Sequence, residues 1–122
     1  MKRIVLLILP IFIIFVGCNR IDTSSPNNML ISAAKAGRLD YVKMAVAKGA
    51  DLNTQDRNGG TALHWAVYYN HKDVVEFLLM QGASPFIIDN QGVTPIDVAR
   101  INNRKEILKV FEKYLNPKKL NN

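Results

Sequence analysis

His64, His71, Cys18 and the loop aspartates Asp51, Asp56 and Asp89 are the side chains of this sequence with the most chemistry in them. Two histidines and a lone cysteine give no metal-ligand spacing, because a closed zinc site takes four such ligands in short clusters. No serine or cysteine stands in a glycine-flanked elbow that would expose a nucleophile, and no glycine-rich loop has phosphate-binding spacing. Each aspartate lies in a loop, among turn-forming residues, where a carboxylate accepts backbone N–H groups just ahead of it and closes a turn. The expectation is a chain without a catalytic centre, metal site or cofactor.

What positions these residues is a period. At an offset of 33, Asp56 falls on Asp89, Gly59 on Gly92, Thr61 on Thr94, Ala66 on Ala99, and Gly49-Ala50 on Gly82-Ala83. Repeats of this length build solenoids, whose units bury a continuous core only by stacking on their neighbours. Each unit reads as two helices. Asn28, Thr61 and Thr94 suit N-caps, and Pro95 occupies the first helical position, where proline is tolerated. Nine residues after each cap stands Gly37, Asn70 or Asn103, types that enter the left-handed region most cheaply and so can turn the chain into a second helix.

The second helices begin Leu39-Asp40-Tyr41-Val42, Lys72-Asp73-Val74-Val75 and Lys105-Glu106-Ile107-Leu108, and two of the three stop at Gly-Ala. In the last, Ile107, Leu108, Val110, Phe111, Tyr114 and Leu115 can face inward while Lys105, Glu106, Lys109, Glu112 and Lys113 stay wet, as suits a capping unit. Met44, Phe77, Leu78, Leu79 and Met80 are expected in the core. Phe86-Ile87-Ile88 puts three apolar residues in a loop, either closing over the stack or forming an exposed patch.

The central unit, Asp56-Arg57-Asn58-Gly59-Gly60-Thr61-Ala62-Leu63-His64-Trp65-Ala66 through Gly82-Ala83-Ser84, resembles an ankyrin repeat at most of its fixed positions. Ala33-Ala34 to Gly49-Ala50-Asp51-Leu52-Asn53 and Asp89 to Phe111 carry the same pattern. The resemblance implies an all-α fold: an ankyrin-repeat solenoid of antiparallel helix pairs joined by short β-hairpin-like loops. Its domain would occupy 28–115, with repeats at about 23–55, 56–88 and 89–115 and a tail over 116–122. Ile31 and Asp97 depart from the pattern where the middle unit has His64, and Leu115-Asn116-Pro117 replaces the closing Gly-Ala.

By that resemblance His64 hydrogen-bonds between loop and helix, His71 packs and caps, and Trp65 packs between repeats. Partners of the family are bound by hairpin tips and the exposed side of each first helix. Transferred position by position, these are Arg57, Asn58, Gly60, Tyr68 and Tyr69, then Asn90, Gln91, Val93, Arg100 and Ile101, with Lys35, Ala36 and the loop Thr54-Gln55 in the first unit. Tyr68 and Tyr69 stand out, because tyrosine offers a large rigid contact with a polar tip. The partner implied is another protein, bound by a monomer.

Ahead of the repeats, Met1-Lys2-Arg3 is followed by an apolar run from Ile4 to Val16, interrupted by Pro10, and then Gly17-Cys18. The run is shorter than the roughly 20 residues a helix needs to span a bilayer, and it has the length of a signal-peptide core. Gly17-Cys18 resembles a bacterial lipobox, which implies a signal peptide over 1–17, cleavage after Gly17, lipid on Cys18 and a polar tether over 18–27. Cys18 is the only cysteine, so no intramolecular disulfide can form.

Removing Lys2 and Arg3 takes the formal charge from +6 to +4, and the remaining bases are scattered along separate helices instead of clustered as a nucleic-acid site requires. The expectation is a non-catalytic protein-binding module lipid-anchored in a bacterial envelope, on the outer membrane or periplasmic side, since Asn19 is not the Asp that retains many lipoproteins at the inner membrane. The alternatives are an immunity or inhibitor protein neutralising an envelope-crossing toxic enzyme, and a structural adaptor.

Overall fold

The computed structural model describes residues 20–116. The expected leader, Cys18, Asn19 and residues 117–122 lie outside the described residues. Among the described residues six helices form three pairs: α1 Pro26–Ala36 with α2 Leu39–Ala47, α3 Ala62–Tyr68 with α4 Lys72–Met80, and α5 Pro95–Ile101 with α6 Lys105–Leu115. First helices pack side by side in the order α1, α3, α5, and second helices α2, α4, α6 form a layer behind them. No strand occurs among the described residues, and the loops close as hairpin-like turns, Asp56 N–H reaching the Gly60 carbonyl at 2.9 Å and Asp89 N–H that of Val93 at 3.0 Å. Among the described residues no helix is long and apolar enough to cross a membrane.

Local chemistry sets the helix ends. Thr61 Oγ1 accepts the His64 N–H and Thr94 Oγ1 the Asp97 N–H, so both expected caps hold. The first cap is a correction: Ser25, not Asn28, caps α1, its Oγ accepting the Asn28 N–H at 3.1 Å. Pro26 supplies a preset helical φ at the first position, so the helix nucleates before Asn28. Gly37, Asn70 and Asn103 turn each pair with φ of 71°, 63° and 55°. At Gly49 and Gly82 the Ala50 and Ala83 N–H groups return to the Ala45 and Leu78 carbonyls, closing α2 and α4 with the left-handed C-cap turn.

The core is a seam of small residues in the first helices, Ala33, Ala34, Ala66 and Ala99, against Val42, Val74, Val75, Leu78, Ile107 and Phe111 of the second layer. Three residues expected inside are outside. Met44 and Met80 are 44% and 66% exposed. Each follows a buried Val42 or Leu78 by two positions, about 200° round the helix. Leu115 falls at the register of Gly82, past the end of α4, so no helix covers it. The stretch before α1 is tied down: Ile21 packs on the core and Asp22 N–H bonds Ser32 Oγ at 2.9 Å.

A Cβ at Gly37 would meet His71 Nδ1 at 2.5 Å, whereas at Gly49 it would meet nothing within 4 Å, although both have positive φ. Gly37→Ala should therefore cost about 3 kcal/mol, backbone strain plus overpacking, and Gly49→Ala about 1 kcal/mol from strain alone. Urea unfolding midpoints read the difference, and equal losses would contradict the assigned packing of His71.

Candidate functional site

The two hairpin tips are fixed from within. Asp56 Oδ1 accepts the Asn58 and Gly60 N–H groups at 2.9 and 3.0 Å, and Asp89 Oδ1 accepts those of Gln91 and Val93 at 2.8 and 3.0 Å. Asp56 Oδ2 also takes the Trp65 indole N–H at 2.7 Å, with Lys35 Nζ 3.7 Å from the same oxygen and 4.3 Å from the indole ring centre. The aspartates thus do the turn-closing expected of them, and Asp56 also sets the indole plane. A Cβ on Gly60 would sit 2.8 Å from the indole nitrogen, so only glycine lets the loop lie against the ring.

The tips are also tied to each other. Asn90 N–H donates to the Asn58 carbonyl at 3.0 Å and Asn90 Nδ2 to that of Arg57 at 2.8 Å, while Gln55 Nε2 spans the Gly59 and Ile88 carbonyls at 2.8 and 3.1 Å. His64 is the deepest link. Its Nδ1 accepts the Thr61 N–H at 3.1 Å and its Nε2 lies 2.8 Å from the Val93 carbonyl, which can only accept. The ring is therefore the neutral Nε2–H tautomer, bridging loop to helix as expected and repeat to repeat as well.

At the same register in the third unit Asp97 closes the capping box, Oδ2 accepting the Thr94 N–H at 3.2 Å. That backbone bond, with the Thr94 side chain and nearby Arg100, holds the carboxyl below its ordinary value. Ile31, in the first unit, is simply buried. His71 packs against Gly37 and Tyr69 as expected; at its own N-cap it makes no side-chain bond, and it caps instead the last turn of α1, its Nε2–H donating to the Lys35 carbonyl at 3.1 Å. Arg104, 33 residues on, makes the equivalent bond to the Tyr68 carbonyl at 2.6 Å.

Between repeats two and three these constraints leave a concave groove of about 570 Å³. Of the positions expected to touch a partner, Asn58, Tyr68, Tyr69, Asn90, Gln91, Val93 and Ile101 line it, and Gly60 lies in its wall. Arg57 and Arg100 do not: Arg57 is exposed at the tip, and Arg100 reaches back to Asp97 at 3.6 Å. Lys35, Ala36, Thr54 and Gln55 also fall outside, because the groove belongs to the second and third units only.

Trp65 forms one wall, Tyr69 stacking near-parallel to it with ring centres 6.1 Å apart, and Tyr68 meeting both rings edge-on at 6.0 and 5.0 Å. Both tyrosines stay nearly half exposed and Ile101 is 71% exposed, so the groove offers apolar area with phenol and amide groups around it. Val98 and Asn102 also line it and were missed. The signal was available for Asn102, which shares the register of Tyr69, whereas Val98 shares that of Trp65, a position the resemblance assigns to packing. No cluster of three or more metal-ligating side chains exists among the described residues.

A family model described as ankyrin repeats in many copies matches residues 30–79 and again 65–112. The chain belongs to the ankyrin-repeat family. Among its relatives, the putative ankyrin repeat protein L271 of Acanthamoeba polyphaga mimivirus is 36% identical over 87% of the chain, and human ankyrin repeat domain-containing protein 40 is 35% identical over 75%. The mouse inhibitor of Bruton tyrosine kinase is 41% identical over 55%. The chain spans 16%, 24% and 5% of those proteins' lengths, so it corresponds to a part of each. The ankyrin repeat is a non-catalytic fold for protein–protein interaction.

Two outcomes follow from the links. His64→Ala removes both ends of the bridge, leaving the Thr61 N–H without its acceptor while the Val93 carbonyl keeps only the Asp89 N–H, a loss of about 2–3 kcal/mol in thermal or urea unfolding. A loss under about half a kcal/mol would refute the bridge. Because the folded state depresses the Asp97 pKa, its contribution is complete above the unfolded value and disappears as pH falls through the folded one. Asp97→Asn, which can still accept the Thr94 N–H, should flatten the fall of the urea midpoint from pH 5 to pH 2.5. An unchanged acid limb would contradict the assignment.

Proposed function

We propose that the chain binds a protein partner in the groove between repeats two and three while lipid on Cys18 holds it at a bacterial envelope membrane. The observation that carries the binding half is the convergence of hairpin-tip and first-helix residues, Asn58, Asn90, Tyr68, Tyr69 and Ile101 among them, on one concave surface. Aromatic anchors of this kind dominate interface energetics because each buries a large area with few rotatable bonds. The groove's ionisable floor, His64 and Asp89, is used in holding the loops, which suits recognition by shape and not by chemistry. Anchoring rests on the sequence at Gly17-Cys18, and it would raise the local concentration of the module near a membrane-resident partner, so modest affinity suffices.

The binding half is tested by capture from envelope extracts with the tagged full chain beside Tyr68→Ala/Tyr69→Ala, checked for an unchanged helical melt. The variant should lose a specific partner, its affinity falling at least about tenfold. Equal capture by a folded variant would remove the groove from the account. The anchoring half is tested by metabolic labelling with an alkyne fatty acid in a bacterial host. Label on the wild type and none on Cys18→Ser is expected, and no label on either would end the lipoprotein reading.

A further inference from the structure

Phe86 and Ile88 are 64% and 58% exposed, and Ile87 between them is half-buried, so the segment alternates with two large apolar side chains outward. Thirty-three residues earlier the same two registers hold Asn53 and Gln55, so the stack itself does not require apolar groups there. Met80, 66% exposed at the end of the helix that opens this loop, adds a third. None of the three lines the groove.

The edge they occupy is the one where the chain enters the domain. Ser84 N–H bonds Asn53 Oδ1 at 2.9 Å, and Asp51 N–H bonds Asn27 Oδ1 at 2.8 Å, so the segments 22–27, 51–53 and 84–88 follow one another along one side of the stack. At roughly 10 Å per packed helix, the first and last are about 20 Å apart. Asp22 is fixed by Ser32, and from Asp22 back to Cys18 four residues reach about 14 Å at most. We infer that this edge, with Phe86 and Ile88 as its apolar contacts, lies on the membrane surface and orients the solenoid so that the groove stays open to a partner.

The inference takes from the proposed function only what brings the chain to lipid. The contact rests on burying Phe86 and Ile88 at the lipid interface, a stabilisation that salt does not screen.

Photocrosslinking tests it on the full chain reconstituted in vesicles of phosphatidylethanolamine and phosphatidylglycerol. Phe86→p-benzoylphenylalanine should give phospholipid adducts at least about tenfold above Lys105→p-benzoylphenylalanine, placed at the opposite end of the helix pairs, at both low and 1 M salt. Adduct yields at 86 no higher than at 105, or a yield that collapses in salt, overturn the inference. So does an adduct at 86 to a second protein chain when native membranes replace the vesicles. Flotation of wild type beside Cys18→Ser reads the anchor separately. Equal flotation removes the lipid on Cys18 from the account while a lipid adduct at 86 still sustains the edge.

Discussion

Every repeat in this chain is completed by hydrogen bonds from its neighbour, and the rest of the structure depends on that. An isolated unit would exchange these bonds for water: the His64 Nε2–H would lose the Val93 carbonyl, the Tyr68 carbonyl Arg104, and the Lys35 carbonyl His71. Each such bond exchanged with water contributes about 0.5–1.5 kcal/mol net, so the links add direction and register to a stack whose main stabilisation is the alanine-lined core. The links also fix register. A unit displaced along the stack would separate Asn90 from the Arg57 and Asn58 backbone and Gln55 from the Ile88 carbonyl at once. The last clasp is imperfect, since Arg104 Nε is buried with no partner. Arginine in the register of His71 brings more donors than the site accepts.

Much of this was legible because the repeat writes the same physics several times. Thr61 and Thr94 showed their caps, Asn70 and Asn103 their left-handed turns, and Asp56 and Asp89 their loop closures, each pair 33 residues apart. Reading failed where the period breaks. Ser25 caps α1 because no hairpin precedes it in the described chain, and Asn28 sits at a repeat register without the loop that makes that register a cap. Met44 and Met80 misled because apolar character was read without the helix angle that turns them outward. His71 stands at the N-cap that its position after Asn70 indicates, but the helix end its ring caps belongs to the previous repeat, a contact local spacing cannot show.

The groove was legible residue by residue but not in its limits. Registers identified Tyr68, Tyr69, Asn90 and Ile101, yet only packing shows that the surface stops short of Lys35, whose ammonium lies against Trp65 and Asp56. One carboxylate therefore connects architecture to recognition: Asp56 closes the hairpin, orients the indole and engages the lysine of the preceding repeat. A surface held this way loses little conformational entropy on binding, which favours affinity for a partner of matching shape.

The central claim is that the hairpin tips are as rigid as the helices that carry them. Amide hydrogen exchange on the free protein tests it at Gly60, Asn90 and Val93, whose N–H groups bond Asp56, Asn58 and Asp89, against His71, whose N–H closes the turn onto Ala66. The account predicts that all four exchange through the same cooperative opening, with protection at the tips within about tenfold of that at His71. Tip amides that exchange at nearly unprotected rates while His71 stays protected would contradict it.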